Sequence, residues 1–154
     1  MKKICLTVCL CLISFMLISC TESKSNLSAD EIVTAVMEKH IDEKIDSMLN
    51  ISDDMFINNC EKLYGIDSDK ISDGAYAYSK DSQYADEISV LKCDDAEEIL
   101  NKRLENRKGV FAGYSVTEAE KLDNARIFSK DGFCFLIVSD NAQQLQTEIN
   151  NFMD

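Results

Sequence analysis

The sequence predicts an α+β domain of two layers. A four-stranded antiparallel sheet, built from two ββα units with helices packed on it, is preceded by an N-terminal amphipathic helix. Three observations lead there. Runs rich in aromatic and β-branched residues come in two pairs, at 75–80 with 87–93 and at 125–129 with 133–139. Each pair is followed by a helix start: Asp94-Asp95-Ala96-Glu97-Glu98-Ile99 recurs as Asp140-Asn141-Ala142-Gln143-Gln144-Leu145, at an offset of 46. Ser79-Lys80-Asp81 recurs as Ser129-Lys130-Asp131 at an offset of 50, so hairpin plus helix occurs twice. At 154 residues, with 45% hydrophobic and 29% charged side chains, the chain has the size and composition of one folded domain.

Order is expected from Ser28. Ser28-Ala29-Asp30-Glu31 has the form of a capping box, and Ile32, Val33, Val36, Met37, Ile41, Ile45, Met48 and Leu49 follow at helical spacing, which predicts one long amphipathic helix. Asp53-Asp54 opens a shorter helix whose Phe56, Cys60, Leu63 and Tyr64 share a face, closed by Gly65 where a left-handed cap is wanted. A loop over 66–74 leads into the first hairpin. Asp94-Asp95 then caps a helix over 96–112 with Ala96, Ile99, Leu100, Leu104, Val110 and Phe111 as its apolar stripe; acids at its start and Arg103, Arg107 and Lys108 in its second half suit the helix dipole.

Ser115-Val116-Thr117-Glu118 begins another short helix ending near Leu122. The Asp131-Gly132 step predicts a tight hairpin, because both central residues must take positive φ. Asp140 is expected to cap a last helix that buries Leu145, Ile149 and Phe152. In the strand before it, Phe133, Phe135 and Ile137 alternate with Cys134, Leu136 and Val138. Both faces are apolar, so this strand should be covered from both sides, and the N-terminal helix is the candidate cover for the far face.

The first 27 residues read as an address. Lys2 and Lys3 precede an uncharged apolar run over 4–18, too short for a membrane span of about 20 residues and of the right order for a secretory signal. The run ends in Leu17-Ile18-Ser19-Cys20 before polar Thr21 and Glu22, which resembles the bacterial lipobox. The resemblance implies cleavage after residue 19, a diacylglycerol thioether on Cys20, and attachment to the outer face of the cell membrane. The chain then divides into a signal at 1–19, a lipidated cysteine and tether at 20–27, and a single domain at 28–154.

Charge and composition narrow the function further. The net charge is -12, and removal of residues 1–19 takes two lysines and no acid, leaving -14. A nucleic-acid partner is excluded by that balance. One histidine, His40, and five glycines offer little for histidine catalysis, a phosphate-cradling loop or a histidine-ligated metal. With Cys20 acylated, Cys60, Cys93 and Cys134 allow at most one internal bridge, and none has metal-ligand spacing. Asp67, Asp69 and Asp73 with Gly74 miss the spacing of an EF-type calcium loop, since Ile71 and Ser72 occupy its fifth and sixth positions. Adjacent acids such as Asp53-Asp54 and Glu97-Glu98 cap helices rather than face each other across a substrate. No catalytic residue, metal site or cofactor is predicted.

The Leu63-Tyr64-Gly65-Ile66-Asp67 element, Asp86-Glu87-Ile88 with Lys92, Arg107, the 111–114 segment and the Gly132 hairpin together resemble a family of bacterial lipoproteins, typical of Firmicutes, that carries a domain of unknown function. The resemblance spans about residues 30–152. It implies a lipid-anchored location and the fold, without a reaction. Val116 stands where relatives often place a proline after the Phe-x-x-Tyr element.

The candidate ligand-binding residues are Glu87, Lys92 and Arg107. Arg107 lies four residues before Phe111 and seven after Leu100, at the margin of a buried stripe where a guanidinium needs a carboxylate, and Glu87 is the expected partner. The functional expectation is a membrane-anchored, extracytoplasmic, non-catalytic binding module that meets another envelope protein. The alternatives are a wall-acting hydrolase and a small-ligand or cation receptor.

Overall fold

The computed structural model describes residues 27–39 and 44–154. The signal, Cys20 and His40 lie outside them. Helix α1 (Ala29–Lys39) leads to β1 (Ser47–Asn50), α2 (Asp54–Tyr64), a single 3-10 turn (Ser68–Lys70), the hairpin β2 (Asp73–Tyr78) and β3 (Glu87–Lys92), and α3 (Ala96–Phe111). Helix α4 (Val116–Asp123), the hairpin β4 (Arg126–Lys130) and β5 (Phe133–Val138), and α5 (Ala142–Met153) complete the chain.

The α+β class and both hairpins agree with the sequence expectation, but the sheet has five strands, not four, in the order β1-β2-β3-β5-β4, all neighbours antiparallel. The fifth is β1, where the spacing of Ile45, Met48 and Leu49 extends the first helix. Helix α1 ends at Lys39 instead. Tertiary pairing outweighs local periodicity at this point: Ser47, Met48, Leu49 and Asn50 pair with Tyr78, Ala77, Tyr76 and Ala75, satisfying backbone groups along the outer side of β2.

The second correction concerns the layers. There are three, with helices on both faces of the sheet. One apolar cluster joins Ile32, Val33 and Val36 of α1 and Leu145 and Ile149 of α5 to Ile88, Val90, Phe133, Phe135 and Ile137. The other joins Phe56 and Cys60 of α2, Leu100 and Phe111 of α3 and Leu122 of α4 to Leu91, Cys134, Leu136 and Val138. The two-sided pattern of β5 is thereby met, and α1 covers the far face as expected. The two hairpin-plus-helix units send their helices to opposite faces. The residue preceding the helix differs accordingly, Asp95 having a left-handed φ of 56° and Asn141 a φ of -111°.

Local signals in the sequence act as physics requires. Glu31 accepts from both the Ser28 amide and the Ser28 hydroxyl at 2.9 Å, closing the start of α1. Gly65 caps α2 at φ 73°, Ser115 accepts from the Glu118 amide at the start of α4, and Asp131 and Gly132 take φ of 50° and 83° in the hairpin turn. Helix α5 is capped at Asn141 rather than Asp140, and its buried stripe runs through Met153, leaving Phe152 exposed where burial was expected.

At Gly74 the Phe56 side chain of α2 packs directly against β2. A Cβ there would meet Phe56 Cζ and Ile71 Cγ2 at 3.1 Å and the Val90 carbonyl at 3.3 Å. Gly74→Ala is therefore expected to overpack this layer and to lower unfolding free energy by about 1–3 kcal/mol in urea titrations. Unchanged stability would show that α2 does not press on β2 here.

Candidate functional site

Strand β3 alternates its side chains, so Glu87 and Ser89 point to the same layer as Leu91, beneath α2 and α3. Polar Glu87 and Ser89 alternate with apolar Ile88 and Val90 and so share one side of the strand. Helix α3 closes that side, and Glu87 is fully buried. On α3 the inward stripe is Ala96, Leu100, Arg103 and Phe111, with Arg107 between the last two. Val110, counted in the apolar stripe from the sequence, is exposed.

Arg103 is the principal partner of Glu87. Its Nε donates to Oε1 at 2.8 Å and its Nη2 to Oε2 at 2.7 Å, a two-pronged pair, and Nη2 also donates to the Tyr76 hydroxyl at 3.0 Å. Ser89 Oγ donates to Glu87 Oε1 at 2.8 Å and receives the Tyr64 hydroxyl proton at 3.1 Å. The guanidinium lies over the Tyr76 and Tyr64 rings, 5.3 and 6.0 Å from their centroids.

Arg107, the partner expected from the sequence, comes to the same carboxylate but only at its edge. Its Nε stands 3.5 Å from Oε2 and, although buried, has no hydrogen-bond partner; the side chain is 22% exposed and lies over Phe111, 4.9 Å from the ring centroid. Two guanidiniums thus share one carboxylate, and the cluster carries a local charge of +1. Lys92 does not join it. It is at the opposite end of β3, exposed, with its ammonium 4.9 Å over the Phe133 ring.

A second buried group begins one residue earlier. Lys121 of α4 donates to Asp86 Oδ2 at 2.6 Å and to Glu118 Oε1 at 3.3 Å, with Asp140 Oδ2 3.8 Å away, and Glu118 Oε2 accepts from the Ala85 amide at 2.7 Å. It ties the β2–β3 connection and the β5–α5 turn to α4. Burial raises the Asp86 carboxyl above its ordinary range against the pull of Lys121, and Glu118 adds to the rise. Burial draws the Lys121 ammonium down, but its hydrogen bonds and charge pairing with Asp86 and Glu118 outweigh that and leave it raised.

Arg103, Tyr64, Tyr76, Asp86, Glu118 and Lys121 were not identified as site residues from the sequence. The signal for Arg103 is present: positions 96, 100, 103, 107 and 111 repeat at four, three, four and four residues, the spacing of one helix face.

A cavity of about 450 Å³ opens between the end of α2 and the start of α3, lined by Tyr64, Gly65, Ile66, Lys70, Lys102 and the acids Asp94, Asp95 and Glu98. It shares Tyr64 with the buried cluster. Cys60, Cys93 and Cys134 are free thiols; burial lifts Cys60 to about 11 and raises the other two, so thiolate chemistry is disfavoured. Asp73 of the acidic loop accepts from the Ala29 amide at 3.1 Å, a capping role for α1.

These groups make alkaline stability a readout of the site. Burial raises Tyr64, takes Tyr76 to about 12 and Cys60 to about 11, and Lys121 is raised as well. Each keeps its proton in the fold at a pH where the unfolded chain releases it. The unfolded state then binds fewer protons, and stability falls as pH rises through about 9 to 12. Urea unfolding across pH 8–11.5 should show this decline, with a shallower slope above pH 10 in Tyr64→Phe. The same slope in both proteins would contradict the burial of that hydroxyl.

A protein-family model described as "Domain of unknown function (DUF4358)" matches residues 45–139. The match takes in all five strands, α2, α3 and α4, and both ionic clusters except Asp140, and it is narrower than the span of about 30–152 suggested by the motifs. Helices α1 and α5, the cover of one sheet face, lie outside it. No curated protein and no solved structure matches the chain. With the family model covering more than half of its length, the chain belongs to the DUF4358 family.

Proposed function

We propose that the protein is a lipid-anchored, extracytoplasmic domain of the cell envelope that acts by binding another envelope protein rather than by catalysis. The observation that carries this reading is the Leu17-Ile18-Ser19-Cys20 sequence at the end of a charge-free apolar run, with α1 beginning nine residues after the cysteine. Two acyl chains on Cys20, at about 0.8 kcal/mol per buried CH₂, give a durable hold on a bilayer.

The layout of the domain supports it. Asp73, at the end of β2 that pairs with Lys92, accepts from the first amide of α1, so α1 starts at that end of the sheet. Glu87 pairs with Tyr78 at the other end, about 17 Å along the strand at about 3.3 Å per residue. The arginine cluster therefore belongs to the end remote from the start of α1. The strongly acidic exterior, -14 after removal of the signal, also favours a specific contact over flat adhesion to anionic lipid.

A second reading, a receptor for a small charged ligand, is favoured by one feature: Lys70 and Lys102 share the α2–α3 cavity with Asp94, Asp95 and Glu98.

Metabolic labelling with radioactive palmitate tests the anchor. The native protein should take up label and sediment with membranes, and Cys20→Ala should do neither. Label retained by Cys20→Ala would overturn the anchoring.

A further inference from the structure

The Glu87 carboxylate is satisfied without Arg107. It accepts both prongs of Arg103 and the Ser89 hydroxyl, whereas Arg107 reaches it only at 3.5 Å and keeps a buried Nε with no acceptor. An arginine offers five N–H donors and cannot shed its charge, so a part-buried one held by a single ion-pair contact at 3.5 Å is the uncommon and informative case. The other basic residues of the second half of α3 differ: Arg103 is bound to Glu87, and Lys108 pairs with Asp123 and Glu105 at 3.2 and 3.4 Å.

The surroundings of Arg107 give the charge a context. Its guanidinium covers Phe111, whose ring meets Tyr114 edge-on at 6.0 Å, and Val110, Tyr114 and Val116 are 66, 63 and 77% exposed. These are three of the six large hydrophobic side chains most exposed among the described residues, gathered within seven positions. Scattered singly they would need no explanation, but close together along the chain and near a cation held by one ion-pair contact at 3.5 Å they have the make-up of a docking surface.

We propose that Arg107 is the charged anchor of a peptide-docking surface formed with Val110, Tyr114 and Val116, which takes a partner segment bearing one carboxylate flanked by apolar side chains. This rests on the reading of the domain as a binding module and names the chemistry of its partner. Charge decides between ligands. Glu87, Arg103 and Arg107 sum to +1, which matches a single carboxylate; a phosphate dianion would leave excess negative charge a few ångströms from Glu87 in a molecule already at -14. A second copy of the chain is disfavoured, because a twofold contact through this surface would set one +1 cluster against another.

The test uses the full-length protein in detergent and fluorescein-labelled peptides read by anisotropy: Gly-Leu-Asp-Phe-Leu-Gly and its counterpart with Asn for Asp. The native protein should bind the Asp peptide at least about tenfold more tightly than the Asn peptide, as a charge-assisted hydrogen bond implies. Arg107→Gln should erase that preference while unfolding at the native urea midpoint, and Arg107→Lys should restore only part of it. Equal binding of the two peptides to the native protein would overturn the proposal, as would a preference surviving in Arg107→Gln. Displacement of the Asp peptide by low-millimolar acetate would also overturn it, by showing that a free carboxylate suffices. The outcome is independent of the anchor, since peptide preference is read in detergent and palmitate uptake in cells.

Discussion

A carboxylate with no exposure to water, set in the layer between a sheet and two helices, is the constraint around which this domain is organised. Moving an ion of that size out of water costs several kcal/mol even after relaxation, and only close pairing with its remaining lone pairs satisfied offsets it. Glu87 meets the condition with Arg103 on two oxygens and Ser89 on one. The pair fixes the register of α3 against β3: a shift of one helical residue would rotate Arg103 by about 100° and leave both charges stranded. Tyr64 and Tyr76 complete the enclosure, which is how α2 and β2 come to depend on the same contact.

With the carboxylate provided for, the neighbouring arginine acquires a different meaning. Arg107 lies nearly in line with Leu100 and Phe111, so its position follows from helix geometry, yet its guanidinium ends where the buried layer meets solvent. It is held by Phe111 and by the fringe of Glu87, and its charge is not consumed inside. A structural device and a recognition feature are thus built from adjacent turns of one helix, the inner turn fixing the outer. That outer turn lies at the end of the sheet opposite the start of α1.

Much of this was legible in the sequence, and the failures have physical causes. Gly65, Asp131-Gly132, the Ser28–Glu31 box and the doubly apolar β5 each encode a conformation through local sterics or patterning, and each acts as written. Strand β1 was not legible, because Met48 and Leu49 continue a helical spacing and only the edge of β2 makes them a strand. Helix spacing pairs Glu87 with Arg107 but leaves Arg103 to the helix dipole, although it lies on the inward stripe; its role appears only when α3 crosses β3. Nearness in sequence groups Lys92 with Glu87, whereas the two stand at opposite ends of β3 with four strand residues between them. Lys121 and Asp86, 35 residues apart, left no local signal at all.

Double-mutant cycles on unfolding free energy measure the division of labour between the two arginines. The account predicts a coupling between Glu87 and Arg103 of about 1.5 kcal/mol or more, in the range of close buried charge pairs, from Glu87→Gln and Arg103→Met. Between Glu87 and Arg107 it predicts less than about 1 kcal/mol, as for a loosely held pair. Equal couplings, or a larger one for Arg107, would contradict it.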